Sequence, residues 1–139
     1  MRTMLILAAA AIVATPALAA GPVKMVTKLS GAAEVPGPGD PDGSGTATVS
    51  VNAAKGEVCY TLSVDGIDAA TMAHIHKGAT GVAGPPVVTL DAPAGGTSEG
   101  CKAADAAVIA ALIAAPADHY VNVHNAAFPK GAVRGQLGK

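Results

Sequence analysis

The sequence predicts an all-β fold, an antiparallel sandwich that carries one short helix. Three observations lead there. Apolar and polar residues alternate in short runs, clusters of Gly, Pro, Asn and Asp separate those runs, and a single segment shifts to helical spacing.

The elements follow in chain order. Residues 1–19 open with Arg2, run apolar from Met4 to Ala14, break at Pro16 and close on the small-residue triplet Ala17, Leu18, Ala19. That is the pattern of a secretory signal peptide. Its apolar stretch is too short to span a bilayer, which takes ~20 residues, and no later segment is long and apolar enough to try. The expected mature chain is therefore a single domain over residues 20–139, periplasmic or secreted, with no membrane span. "KMVTKLSG" reads as a first strand. "EVPGPGDPDGSG" reads as a flexible surface loop, because its prolines and glycines preclude regular structure. It resembles a calcium loop only superficially, lacking the terminal Glu and the ligand spacing of an EF-hand.

"GTATVSVNAAKGEVCYTLSVDGI" holds two alternating runs around a turn. Ala47, Val49 and Val51 share one face, and Val58, Tyr60, Leu62 and Val64 share one face of the next run, the pattern of a half-buried hairpin. "ATMAHIH", "PPVVTL", "HYVNVHN" and "GAVRGQL" supply further strands. Between them "ADAAVIAALIAAP" places Val108, Ile109, Leu112 and Ile113 at helical spacing, with Asp105 as N-cap and Pro116 as stop.

Composition narrows the function. The full chain has nine Lys and Arg against ten Asp and Glu, and loss of Arg2 with the leader leaves a formal charge of −2. Arg134 is then the one arginine and the lysines are scattered, so no basic patch exists for nucleic acid. Aromatic residues are 2% of the chain, so the core must be built from Ala, Val, Leu and Ile and would benefit from a covalent staple. Cys59 and Cys101 fit that role, because two cysteines in an exported chain pair more often than they stay free. Closing the loop between them would stabilise the fold by roughly 4 kcal/mol in the chain-entropy view. Cys59 has the opposite parity to Tyr60 and Leu62, so the bond should lie on the outer face of its strand.

The histidines carry the candidate site. Alternation places Met72, His74 and His76 on one face of "ATMAHIH", and Tyr120, Asn122 and His124 on one face of "HYVNVHN". His119 falls on the other face with Val121 and Val123. His74, His76 and His124 are thus the three that can converge, and three imidazole nitrogens with an open position suit copper or zinc. Met72 could add a soft thioether. Glu34 and Arg134 are accessory candidates, either as an ion pair joining the two ends of the domain or as partners of the cluster. Asn122 reads as a hydrogen-bonding core residue. The competing reading gives the same histidines a hydrogen-bonding role toward loop carbonyls or Glu34. No catalytic residues are assigned: no GxSxG occurs, and Ser63 and Ser98 have no evident partners.

"LSGAAEVPG", "GSGTATVSV", "AHIHKGATGVAGPPVVTL" and "YVNVHNAAFPKGAVRGQL" resemble, in order and spacing, the successive motifs of the CHRD (chordin) domain family, over about Lys28 to Leu137. The resemblance implies an immunoglobulin-like, Greek-key β-sandwich and brings no reaction with it. "HIH" is also similar to the copper-binding His-x-His strand of copper/zinc superoxide dismutases. Lys77 to Leu90 offers no His, Asp, Glu or Cys, however, so a dinuclear site of that kind is not supported. Two functions follow as expectations: a non-catalytic binding module holding copper or zinc, or a structural or interaction domain of the cell envelope that meets an envelope or extracellular protein or polymer.

Overall fold

The computed structural model describes residues 20–139. The expected signal peptide, residues 1–19, lies outside them. Eight strands form among the described residues: β1 (Val23–Ser30), β2 (Ser44–Asn52), β3 (Glu57–Asp65), β4 (Ala70–Lys77), β5 (Pro86–Leu90), β6 (Thr97–Ala103), β7 (His119–Asn125) and β8 (Val133–Gln136). The helix α1 (Ala106–Ala114) precedes β7. No helix among the described residues is long and apolar enough to cross a membrane.

The strands make one antiparallel ladder in the order β5-β4-β7-β8-β1-β2-β3-β6. A sandwich implies strands paired into two separate sheets, and in that respect the expectation fails: all eight strands belong to one sheet that curls on itself. Its edges, β5 and β6, come against each other. Polar side chains close that seam: Tyr60 Oη donates to Asp91 Oδ2 at 2.8 Å, and Lys102 Nζ meets Asp91 Oδ1 at 2.7 Å. The fold is thus an all-β sandwich that nearly closes into a barrel.

Alternation explains which residues fill it. Met25 and Leu29 of β1, Ala47, Val49 and Val51 of β2, Val58, Tyr60 and Leu62 of β3, Ala73 and Ile75 of β4, and Val121 and Val123 of β7 are all buried. At roughly 25 cal/mol per Å² of apolar surface, such side chains supply the main favourable term in folding. Ile109 and Leu112 of α1 are buried in the same core, as their helical spacing requires. Asp105 occupies the N-cap position without a side-chain capping bond, and the helix ends before Pro116. Gly56, at φ 64°, makes the turn between β2 and β3, a conformation that costs glycine little.

Cys59 and Cys101 are bonded, and they face each other directly in the β3–β6 register. Strand β6 itself, "TSEGCKA", has no apolar face to announce it. Its positions alternate between partly and fully exposed. Residues 34–43 also depart from the expectation of a flexible surface loop. They form no strand, yet Glu34, Gly39 and Gly43 are buried and Asp40 N donates to Ala132 O at 2.8 Å, which binds the segment to the body of the domain.

Candidate metal centre

Strands β4 and β7 are neighbours, with His74 opposite Asn122, Met72 opposite His124 and His76 opposite Tyr120. Because Ala73, Ile75, Val121 and Val123 of the same strands face the core, the other parity projects from the outer face of the sheet. Strand β8 continues this face, with Arg134 opposite Asn122 and Gln136 opposite Tyr120. An outer face would ordinarily be wet. Here loops cover it, and His76, Asn122, His124 and Arg134 are all at most 9% exposed. His74 is half-buried, so the cluster meets solvent on its side.

The loop backbones decide which ring nitrogen holds each proton. His124 Nδ1 lies 3.0 Å from Pro129 O, and His76 Nδ1 lies 2.8 Å from Gly84 O. A carbonyl oxygen only accepts, so each ring donates through Nδ1 and its Nε2 is left with a bare lone pair. The loop that presents Pro129 is itself pinned, since Phe128 N donates to Asn125 Oδ1 at 2.8 Å. His124 Nε2 faces His74 Nδ1 at 3.2 Å, and His76 Nε2 is buried with no hydrogen-bond partner. One ligand nitrogen from each of the three rings lies within 4.8 Å of the others. Two nitrogens ~2.05 Å from one tetrahedral ion are about 3.3 Å apart, so His74 and His124 already have ligand spacing.

Electrostatics favours the neutral rings that metals bind. Burial pushes the His74, His76 and His124 imidazoles below their ordinary range. Neighbouring imidazoles lower His74 and His124 further, while the carbonyls of Gly84 and Pro129 pull His76 and His124 partly back. The second group with metal-like spacing, Glu57, Cys59 and Cys101, is a different matter. Its sulfurs are joined in the disulfide and offer no thiolate.

The accessory candidates fall out differently. Arg134 makes no ion pair with Glu34. Its guanidinium carbon lies 3.4 Å from the centre of the Tyr120 ring, and Nη2 donates to Ala79 O and Gln136 Oε1. On its other side Tyr120 stacks on His76, with ring centres 4.8 Å apart and planes 6° from parallel. Arg134 therefore braces the His76 ring through Tyr120 by a cation–π contact and does not join the two ends of the domain through Glu34. Glu34 is 5% exposed, and burial raises its carboxyl to about 7, an effect offset in part by the Arg134 charge and by hydrogen bonding from Asn122 and the Val35 backbone. It packs against Gly131, whose φ of 140° and contact with the Glu34 carboxyl leave no room for a side chain. Met72 lies on the rim, 47% exposed. His119 is buried on the opposite face, with Nδ1 donating to Ala115 O at 2.9 Å.

Asn122, read from sequence as a core hydrogen-bonder, is a member of the cluster: its Oδ1 lies 3.1 Å from His124 Nε2. Tyr120 and Gln136 were also missed, Gln136 holding Gly78 O and Ala117 O through Nε2. The parity of Tyr120, Asn122 and His124 was the available signal. Residues 25–137 match the family model of the CHRD domain. No curated protein and no solved structure matches the chain.

Proposed function

The chain belongs to the CHRD-domain family, and from that premise we propose that it is an exported, non-catalytic binding module holding one copper ion on His74, His76 and His124. The observation that carries this reading is the proton arrangement. Two loop carbonyls take the Nδ1 protons of His76 and His124, which leaves bare Nε2 lone pairs on both rings, that of His124 3.2 Å from His74 Nδ1 and that of His76 buried with no partner. Outer-sphere carbonyls of this kind orient histidine ligands and raise their basicity. Among first-row divalent ions the affinity of a nitrogen site peaks at copper, and imidazole also suits zinc. Export is supported by the leader pattern of residues 1–19 and by the Cys59–Cys101 bond, which suits an oxidising compartment such as the periplasm or the extracellular medium.

The second reading, a structural or interaction domain of the envelope, is favoured by the same carbonyl bonds. His76 and His124 tie the loops at Gly84 and Pro129 to the sheet whether or not a metal is present. Calorimetric titration of the purified mature chain with Cu(II), Cu(I) and Zn(II) separates the two. One equivalent of tightly bound copper is expected. Absence of saturable heat with all three ions would leave the loop-fastening role as the better account.

A further inference from the structure

The copper reading leaves a fourth position to fill, and the surroundings of Asn122 address it. Asn122 is 3% exposed, opposite His74 on one side and Arg134 on the other, so its amide projects from the middle strand of the polar face. The His124 ring gives its Nδ1 proton to Pro129 O and keeps a lone pair on Nε2. Asn122 Oδ1, also an acceptor, lies 3.1 Å from that nitrogen. That separation lets both atoms reach one ion, since two donors ~2.05 Å from a tetrahedral centre stand about 3.3 Å apart.

We propose that Asn122 Oδ1 is the fourth ligand, completing a site of three nitrogens and one oxygen that selects Cu(II) over Cu(I). The inference rests on the copper reading above. A neutral amide oxygen is a hard donor that suits a divalent ion, whereas Cu(I) seeks thioether or thiolate. The one thioether of this face, Met72, sits on the solvent-exposed rim.

The test uses the mature chain and the Asn122→Leu, Asn122→Asp and Met72→Leu variants, each checked for folding by thermal melting. Cu(II) affinity is measured by competition titration and its ligand field by electron paramagnetic resonance, with Cu(I) affinity measured anaerobically against a chromophoric chelator. Asn122→Leu should lose about 10- to 100-fold in Cu(II) affinity. Its Cu(I) affinity should move less, and its Cu(II) spectrum should change. Asn122→Asp keeps an oxygen in place and adds charge, so it should bind Cu(II) at least as tightly with a shifted spectrum. If Asn122→Leu does not fold, this variant carries the test alone. Met72→Leu should leave Cu(II) binding intact. Wild-type affinity and an unchanged spectrum in both Asn122 variants would overturn the proposal while leaving the copper site standing. Loss of copper binding in Met72→Leu alone would likewise replace Asn122 by Met72. Failure of the wild type to bind either ion would remove the copper reading and this inference with it.

Discussion

Single side chains in the cluster differ chiefly in which proton they hold and which face they occupy. His124 and His119 are both buried and both donate Nδ1 to a loop carbonyl, yet one faces the ligand cluster and the other the core. His74→Ala and His124→Ala should therefore each abolish tight copper binding. His119→Ala should keep the affinity within about twofold and instead lose ~1–3 kcal/mol of stability, because a buried hydrogen bond and its ring are removed. Calorimetry and urea unfolding on the three variants separate these outcomes, and equal copper loss in all three would count against the assignment. Glu34 supplies a pH signature. Its carboxyl is raised from an ordinary 4.5 to about 7 by burial, so the unfolded chain releases this proton before the folded one does. Its contribution is intact below about pH 4.5 and declines until pH passes about 7, a loss of about 3 kcal/mol. The three cluster histidines act in the opposite sense. Their lowered values mean that stability present above their ordinary 6.5 is lost as pH falls through the folded values. Subtracting the metal-free Glu34→Gln unfolding curve from the wild-type curve isolates the carboxyl. A difference that stays flat between pH 4.5 and 8 would contradict its burial-driven shift.

Among the elements, the disulfide shows where periodicity ends as a guide. Replacing Cys59 and Cys101 with Ala should cost roughly 4 kcal/mol in the chain-entropy view, read as a lowered urea midpoint with a steeper slope, because the unlinked unfolded chain exposes more surface. A midpoint equal to that of the oxidised wild type would show that strand pairing alone holds β6. The bond could be anticipated from compartment and parity, but β6 could not. Its inward positions are Ser98, Gly100 and Lys102, because the Tyr60 ring from β3 already fills the space beneath, and a Cβ at Gly100 would stand 3.0 Å from Tyr60 Oη. With no apolar residue facing in, the strand carries no period-2 signal. Strands β2, β3, β4 and β7 were legible because each buries alternate apolar residues, and α1 because Ile109 and Leu112 must share a stripe. Leu112 is wholly buried, so Leu112→Ala should lose about 2–5 kcal/mol, at the upper end if the pocket cannot collapse. The order of pairing was not legible. Alternation states which face is buried, not which strand lies alongside, so closure of one sheet through the Tyr60–Asp91–Lys102 seam had no sequence signature.

For the whole molecule, the site is a property of the loops as much as of the sheet. Parity put His74 and His76 on one face of β4 and His124 on one face of β7, and the β4–β7 pairing brought them together, but the groups that set the protons of His76 and His124 are the backbone carbonyls of Gly84 and Pro129, which have no side-chain code. On the proposed copper reading, the same carbonyls couple the ion to global stability. Copper bound to His76 and His124 engages residues that also fasten the loops over the outer face, and an unfolded chain has no such cluster. Mass action then sets the size of the effect: about 2.7 kcal/mol when free copper is 100 times its dissociation constant. For a domain of this length that is a rise in melting temperature on the order of 10 °C. Protons compete with the ion for the same imidazole nitrogens. Because burial holds the three rings below their ordinary 6.5, the gain should be flat around neutrality and should shrink only as the medium becomes clearly acidic. Thermal melts with and without copper at pH 7.5 and pH 4.5, run beside the His74→Ala, His124→Ala double variant, test both parts. A large copper-dependent rise at pH 7.5, little at pH 4.5, and none at either pH in the double variant is the expected pattern. An equal rise in the double variant would place the copper elsewhere on the chain.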